Sequence, residues 1–146
     1  MRKLFAALAL TAAAFVAAPA SAEDDKTTLV TMVATGEPQT QLMAMVLTAQ
    51  AMEQGAASHI LLCGPGGDLA LKEAPASATA PQKPRDMSPQ GLMKMLMGKG
   101  AVVEVCAIYL PNKGADQSAL LDGVGVAAPP AMAAKLLAKG ARIMSF

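Results

Sequence analysis

The sequence predicts an α/β three-layer sandwich built on a mainly parallel five-stranded sheet. Three observations predict it. Short apolar runs rich in β-branched residues alternate with helix-length segments, glycine and proline punctuate nearly every junction, and five strands with four helices fit into about 120 residues. Right-handed crossovers then place the strand-to-helix loops along one edge of the sheet, where ligands of such folds bind.

The chain has 146 residues, and residues 1–22 read as an export signal. Met1-Arg2-Lys3 is a basic start, Leu4 to Ala18 is small and apolar, and Ala20-Ser21-Ala22 is a small-x-small cleavage site. Export to the periplasm or secretion is therefore expected, with one domain over residues 23–146. Without Arg2 and Lys3 the chain carries ten basic and eleven acidic residues, and only Tyr109 and Phe146 remain as aromatics. Nucleic-acid binding needs clustered positive charge and stacking rings, and neither is present. After Ala22 no apolar run reaches the roughly 20 residues of a membrane-spanning helix.

Thr28 to Ala34 reads as the first strand, ending in Thr35-Gly36-Glu37-Pro38. Pro38 and Gly55 bracket a helix over Gln39 to Gln54. Its apolar stripe is Leu42, Met45, Val46, Ala49 and Met52, widened by Met43 and Leu47. Ser58 to Cys63 is a buried strand running into Gly64-Pro-Gly-Gly-Asp68, a loop able to approach a ligand closely. From Glu73 to Asp86 the prolines predict an irregular surface excursion. Ser88 as N-cap, Pro89 at the first helical position and Met87 as a staple against Leu92 open a helix to about Met97. Ala101 to Tyr109 is the strongest strand signal, with Cys106 late in it or just past it. Asp116 caps a short helix to Leu121, Gly123 to Val126 is a brief strand, Pro129-Pro130 opens a helix to Gly140, and Arg142 to Phe146 is the last strand.

Cys106 is the first chemical candidate. A cysteine leaving a central strand toward a helix is open to stabilisation as thiolate by backbone N–H groups, although cysteine is also among the most buried residue types. Cys63 and Cys106 end neighbouring segments of the pattern, so a structural bridge, a redox pair and two free thiols are all open. Glu104 alternates onto the same sheet face as Cys106, where it would accept a proton if buried. The sole histidine, His59, has no partner at ligand spacing and reads as structural, so no metal site is expected. The glycine loop lacks both dinucleotide and P-loop order. The triplet Met93-x-Met95-x-Met97 offers soft thioethers of the kind that bind Cu(I), but residues two apart on a helix face different ways, which favours core packing.

The run Val102-Val-Glu-Val-Cys-Ala-Ile-Tyr-Leu110 follows Gly98-Lys-Gly100 and a strand-helix-strand unit ending Leu61-Leu62-Cys63. It resembles the DsrE/DsrF-like family of small α/β proteins, with a flavodoxin/DsrE-like sheet. Gly123-Val-Gly-Val126, Pro130 to Leu137 and the terminal strand continue the likeness over nearly the whole exported chain. The resemblance implies a homo-oligomeric sulfur carrier with no cofactor, holding a persulfide on Cys106 and exchanging it with a donor or acceptor protein thiol. Gly36, Cys63, Gly64, Gly66, Gly67, Glu104 and Tyr109 are the expected binding residues around Cys106. The competing expectation is a non-catalytic binding module, for a small ligand or soft metal, with structural cysteines.

Overall fold

The computed structural model describes residues 27–146; the expected export signal lies outside them. Five short strands, β1 (Thr28–Val33), β2 (Ala57–Leu62), β3 (Val102–Cys106), β4 (Gly125–Ala127) and β5 (Ala141–Ser145), form one sheet. Its order is β4-β3-β2-β1-β5, and every neighbouring pair is parallel. Such a sheet must be covered on both faces, and the connections decide how.

Steps from β1 to β2 to β3 move in one direction, so α1 (Pro38–Glu53) and α3 (Pro89–Gly98) pack on the same face. The final crossover runs back across the sheet to β5, which places α5 (Pro129–Leu136) on the opposite face. The first face holds the main core, with Val33, Ile60, Leu62, Val103 and Val105 of the sheet against Met45 and Met93 of the helices. The second face carries a small cluster of Val30, Leu61, Ala127 and Met132. The third layer is thus one helix deep, and Val102 and Ile143, aligned on that face with His59 and Val30, stay half exposed.

Local signals set the element ends. Glu37 caps α1 by accepting from the Gln39 and Thr40 amides, and Ser88 caps α3 by accepting from Gly91. Several expectations shift. The strand expected to reach Tyr109 stops at Cys106, because the chain turns and enters α4 (Tyr109–Lys113). The segment after Asp116 is a single 3-10 turn, Gln117–Ala119, rather than an α-helix. The proline-rich excursion contains a one-turn helix, α2 (Ala76–Thr79), with Ala78 in the core. Gln90 reaches from α3 to the carbonyls of Leu69 and Leu71, holding the neighbouring segment against the helix.

Met43 and Leu47 were expected to widen the buried stripe of α1, yet both are exposed. The buried face of α1 runs instead through Gln41, Ala44, Met45 and Thr48, on the other side of the helix; Gln41 Nε2 donates to Thr35 O at 2.8 Å, and the Thr48 and Thr31 hydroxyls bond to each other at 2.8 Å. Hydropathy alone does not reveal such pairings.

Candidate functional site

The β2–β3 register runs His59 to Val102 and Leu62 to Val105, and one further step sets Cys63 opposite Cys106 at the C-terminal edge of the sheet. Their Cα atoms lie 5.1 Å apart and the two sulfurs are joined as a disulfide, a separation well inside the range such bridges span. Of the three states open from sequence, the structure sets aside two free thiols; a structural bridge and a redox pair share this bonded form. Both cysteines are half-buried and pack against the cluster of Val30, Leu61, Ala127 and Met132 on the thinly covered face.

The glycine loop after β2 is a 3-10 helix, Gly64–Ala70, not an irregular turn. Its glycines divide into two kinds. Gly66 and Gly67 are buried, and a Cβ would collide with the Val33 carbonyl at the first and with the Tyr109 ring at the second. They are packing glycines, filled against by the protein itself. Gly36 and Gly64 are exposed; Gly36 rests against Pro65, and Gly64 has a left-handed backbone with φ of 49°.

Tyr109 folds back from α4 under the loop, is 6% exposed, and donates its hydroxyl to Asp68 Oδ1 at 2.6 Å. Lys113, one turn further on, donates to the same oxygen at 2.7 Å. Burial, followed by the Asp68 bond and charge, pushes the Tyr109 hydroxyl far above its ordinary range, so it stays protonated. This Asp68–Tyr109–Lys113 cluster clamps the loop after β2 to the loop after β3, the two segments that carry the cysteines. Asp68 and Lys113 were visible in the sequence only as loop residues, because nothing local shows that segments 45 residues apart meet.

His59 and Glu104 form the second polar cluster. Glu104 stands opposite Leu61, so His59 lies two residues back on the same face of the adjacent strand. His59 Nε2 is 2.7 Å from Glu104 Oε2, with the side chains 4% and 27% exposed. The contact lies off the axis of the ring N–H, leaving Nε2 sealed from solvent without a well-aligned hydrogen bond. Burial, and then the Lys135 cation on α5, hold the imidazole below its ordinary range, and Glu104 only partly opposes them. The partner of His59 thus comes from strand register, which spacing along the sequence does not reveal.

The methionines divide as helical geometry requires. Met93 is fully buried, Met97 half-buried and Met95 exposed, so the triplet does not converge. Among the described residues no group of three His, Cys, Asp or Glu side chains could hold a metal ion, and no helix is long and apolar enough to cross a membrane. A groove of about 1010 Å³ between α1, α3 and the 81–87 segment includes neither cysteine.

No family model matches the sequence, and no curated protein matches it. Solved structures do. The chain is similar to a protein of unknown function, MTH1491, from Methanobacterium thermoautotrophicum, at 15% identity and a TM-score of 0.64, over 83% of this chain and 100% of that one. It is equally similar to the ychN protein from E. coli, at 17% identity and a TM-score of 0.65, over 83% of this chain and 99% of that one. At these identities the likeness shows the fold alone: a small, mainly parallel α/β sandwich.

Proposed function

We propose that this chain is an exported, DsrE-like thiol protein that carries sulfur through Cys106, with Cys63 as the resolving thiol. The observation that carries the reading is the Cys63–Cys106 pair itself, bridged and half-buried at the C-terminal edge of β2 and β3. In the reduced protein, the Cys106 thiolate attacks the outer sulfur of a donor persulfide, giving a Cys106 persulfide and a donor thiol. An acceptor thiolate takes that outer sulfur and leaves the Cys106 thiolate. Without an acceptor, the Cys63 thiolate attacks the inner sulfur, expels hydrosulfide and restores the bridge. The disulfide is then the resting form that protects Cys106 in an oxidising compartment.

The expected export and self-association belong to this reading. The half-exposed Val102 and Ile143, with exposed Leu137 just past the end of α5, support burial of the thin third layer against a second copy.

The bridge also favours a second reading, a binding module whose disulfide only braces the edge. A closed loop of this length stabilises a fold by about 2–4 kcal/mol. Sulfur loading separates the two. Reduced Cys63→Ala protein, which lacks the resolving thiol, should gain about 32 Da, one sulfur atom, by intact mass after treatment with inorganic polysulfide, and Cys106→Ala should show no such gain. A bridge that cannot be opened by thiols in the folded protein, with no sulfur uptake, would leave the binding module.

A further inference from the structure

The groove between α1, α3 and the 81–87 segment has no part in the cysteine chemistry, and its lining is of two kinds. Apolar side chains form the floor: Leu42, Met43, Val46 and Ala49 from α1, and Leu92, Met95 and Leu96 from α3. Both sets keep the three- and four-residue spacing of one helix face, so the floor is continuous. Met43 is 51% and Met95 55% exposed, each the most exposed large apolar residue of its helix. Neither joins the core, and both meet the same hollow. From Gln39 to Glu53 the groove follows α1 for about 21 Å at 1.5 Å per residue.

The rim is cationic. Lys83, Arg85 and Lys99 line the groove against one acid, Glu53, which already accepts from Gln50 Nε2 at 2.9 Å. Glu53 ends α1 and Lys99 caps α3, so their charges offset each other where the two helices finish. The 81–87 wall is left as the net positive part. A bridge between Gln82 and Met87 folds this segment back on itself, with Lys83 and Arg85 on the groove wall. Lys83 pairs with Asp86 at 2.8 Å, while Arg85 forms no ion pair among the described residues. An apolar trough with an unpaired cation on its wall is complementary to an amphiphile with one anionic end. Size then selects among occupants. The groove's 1010 Å³ matches a small-molecule site, about 300–1,000 Å³. Two exposed methionines supply far less apolar surface than the roughly 800 Å² that a stable protein partner buries on each side. Their unbranched thioethers do suit a flexible chain. We propose that this groove binds a single-chain anionic amphiphile, a long-chain fatty carboxylate. Its alkyl chain lies along the floor between α1 and α3, and its carboxylate meets Arg85, with Lys83 beside it.

Isothermal titration of the full-length protein with dodecanoate, kept below its micelle concentration, tests the site. Wild type should bind one dodecanoate per chain. Octanoate, with its shorter chain, should bind at least about tenfold more weakly, and the cation dodecyltrimethylammonium about fivefold or more weakly. Lys83→Gln combined with Arg85→Gln changes only exposed side chains. It should lower dodecanoate affinity about fivefold and leave that of the cation no weaker. Met95→Glu, also at an exposed position, should abolish measurable dodecanoate binding. Equal affinity for the two dodecyl ions, or wild-type affinity in both variants, would overturn the assignment. Absence of uptake by wild type would overturn it as well. If Met95→Glu then shifted sedimentation toward monomer, the groove would belong to a second copy instead.

Discussion

At the scale of single residues, the chemistry depends on contacts that cross the chain. Tyr109 belongs to the run that identifies Cys106, and its hydroxyl bonds to Asp68 from the loop that follows Cys63. One aromatic residue thus ties both halves of the cysteine edge together, with Lys113 neutralising the shared carboxylate. Tyr109→Phe keeps the ring against Gly67 and removes only the hydroxyl. It should cost about 1 kcal/mol of stability in a denaturant titration, since Lys113 still satisfies Asp68. A loss no larger than experimental error would mean that the clamp is held by ring packing alone. Cys106 and Glu104 were legible from strand alternation. The roles of His59 and Asp68 were not, because their partners are set by register and loop folding that no local spacing encodes.

At the scale of elements, strands and long helices were the legible part. Proline at a helix start, serine at a cap and apolar β-branched runs are local signals, and α1, α3 and β1 to β3 fall within a few residues of where those signals put them. The misjudged pieces lack such signals. α4 forms where β-favouring residues continue past Cys106, because Tyr109 and Leu110 are drawn down into the core. The outward turn of Met43 and Leu47 depends on buried polar pairs at Gln41 and Thr48. α3 offers a contrast within one helix. Met93 is fully buried and Met95 is 55% exposed, so Met93→Ala should lose about 2–4 kcal/mol and Met95→Ala less than about 0.5 kcal/mol in chemical denaturation. Equal losses would show that the described face of α3 is wrong.

At the scale of the whole molecule, sheet order explains why one face is thick and the other thin. Four strands laid down in one direction bring their helices to one side, and a single return crossover supplies α5 alone to the other. The disulfide lies on the thin side, as do the His59–Glu104 pair and half-exposed Val102 and Ile143. That surface is where a second copy is proposed to dock, and Ile143→Lys should shift the protein toward monomer in sedimentation velocity. A wild-type protein that already sediments as a single monomer would contradict self-association. Fold class was readable from sequence because alternation and crossover handedness leave few topologies. The thinness of the third layer was not, since it depends on which side of β1 the last strand joins.

The central claim is that Cys106 carries sulfur and Cys63 resolves it, and intact mass after sulfur loading tests it most directly. Wild-type protein as isolated should be lighter than its dithiol form by two hydrogens and should resist alkylation until reduced. Reduced Cys63→Ala, lacking the resolving thiol, should accumulate an adduct of about 32 Da after polysulfide treatment and release it to an added thiol. The adduct should be absent from Cys106→Ala. An adduct that persists in Cys106→Ala, or no adduct on Cys63→Ala while its Cys106 alkylates readily, would contradict the account and leave the cysteine pair as a brace for a binding surface.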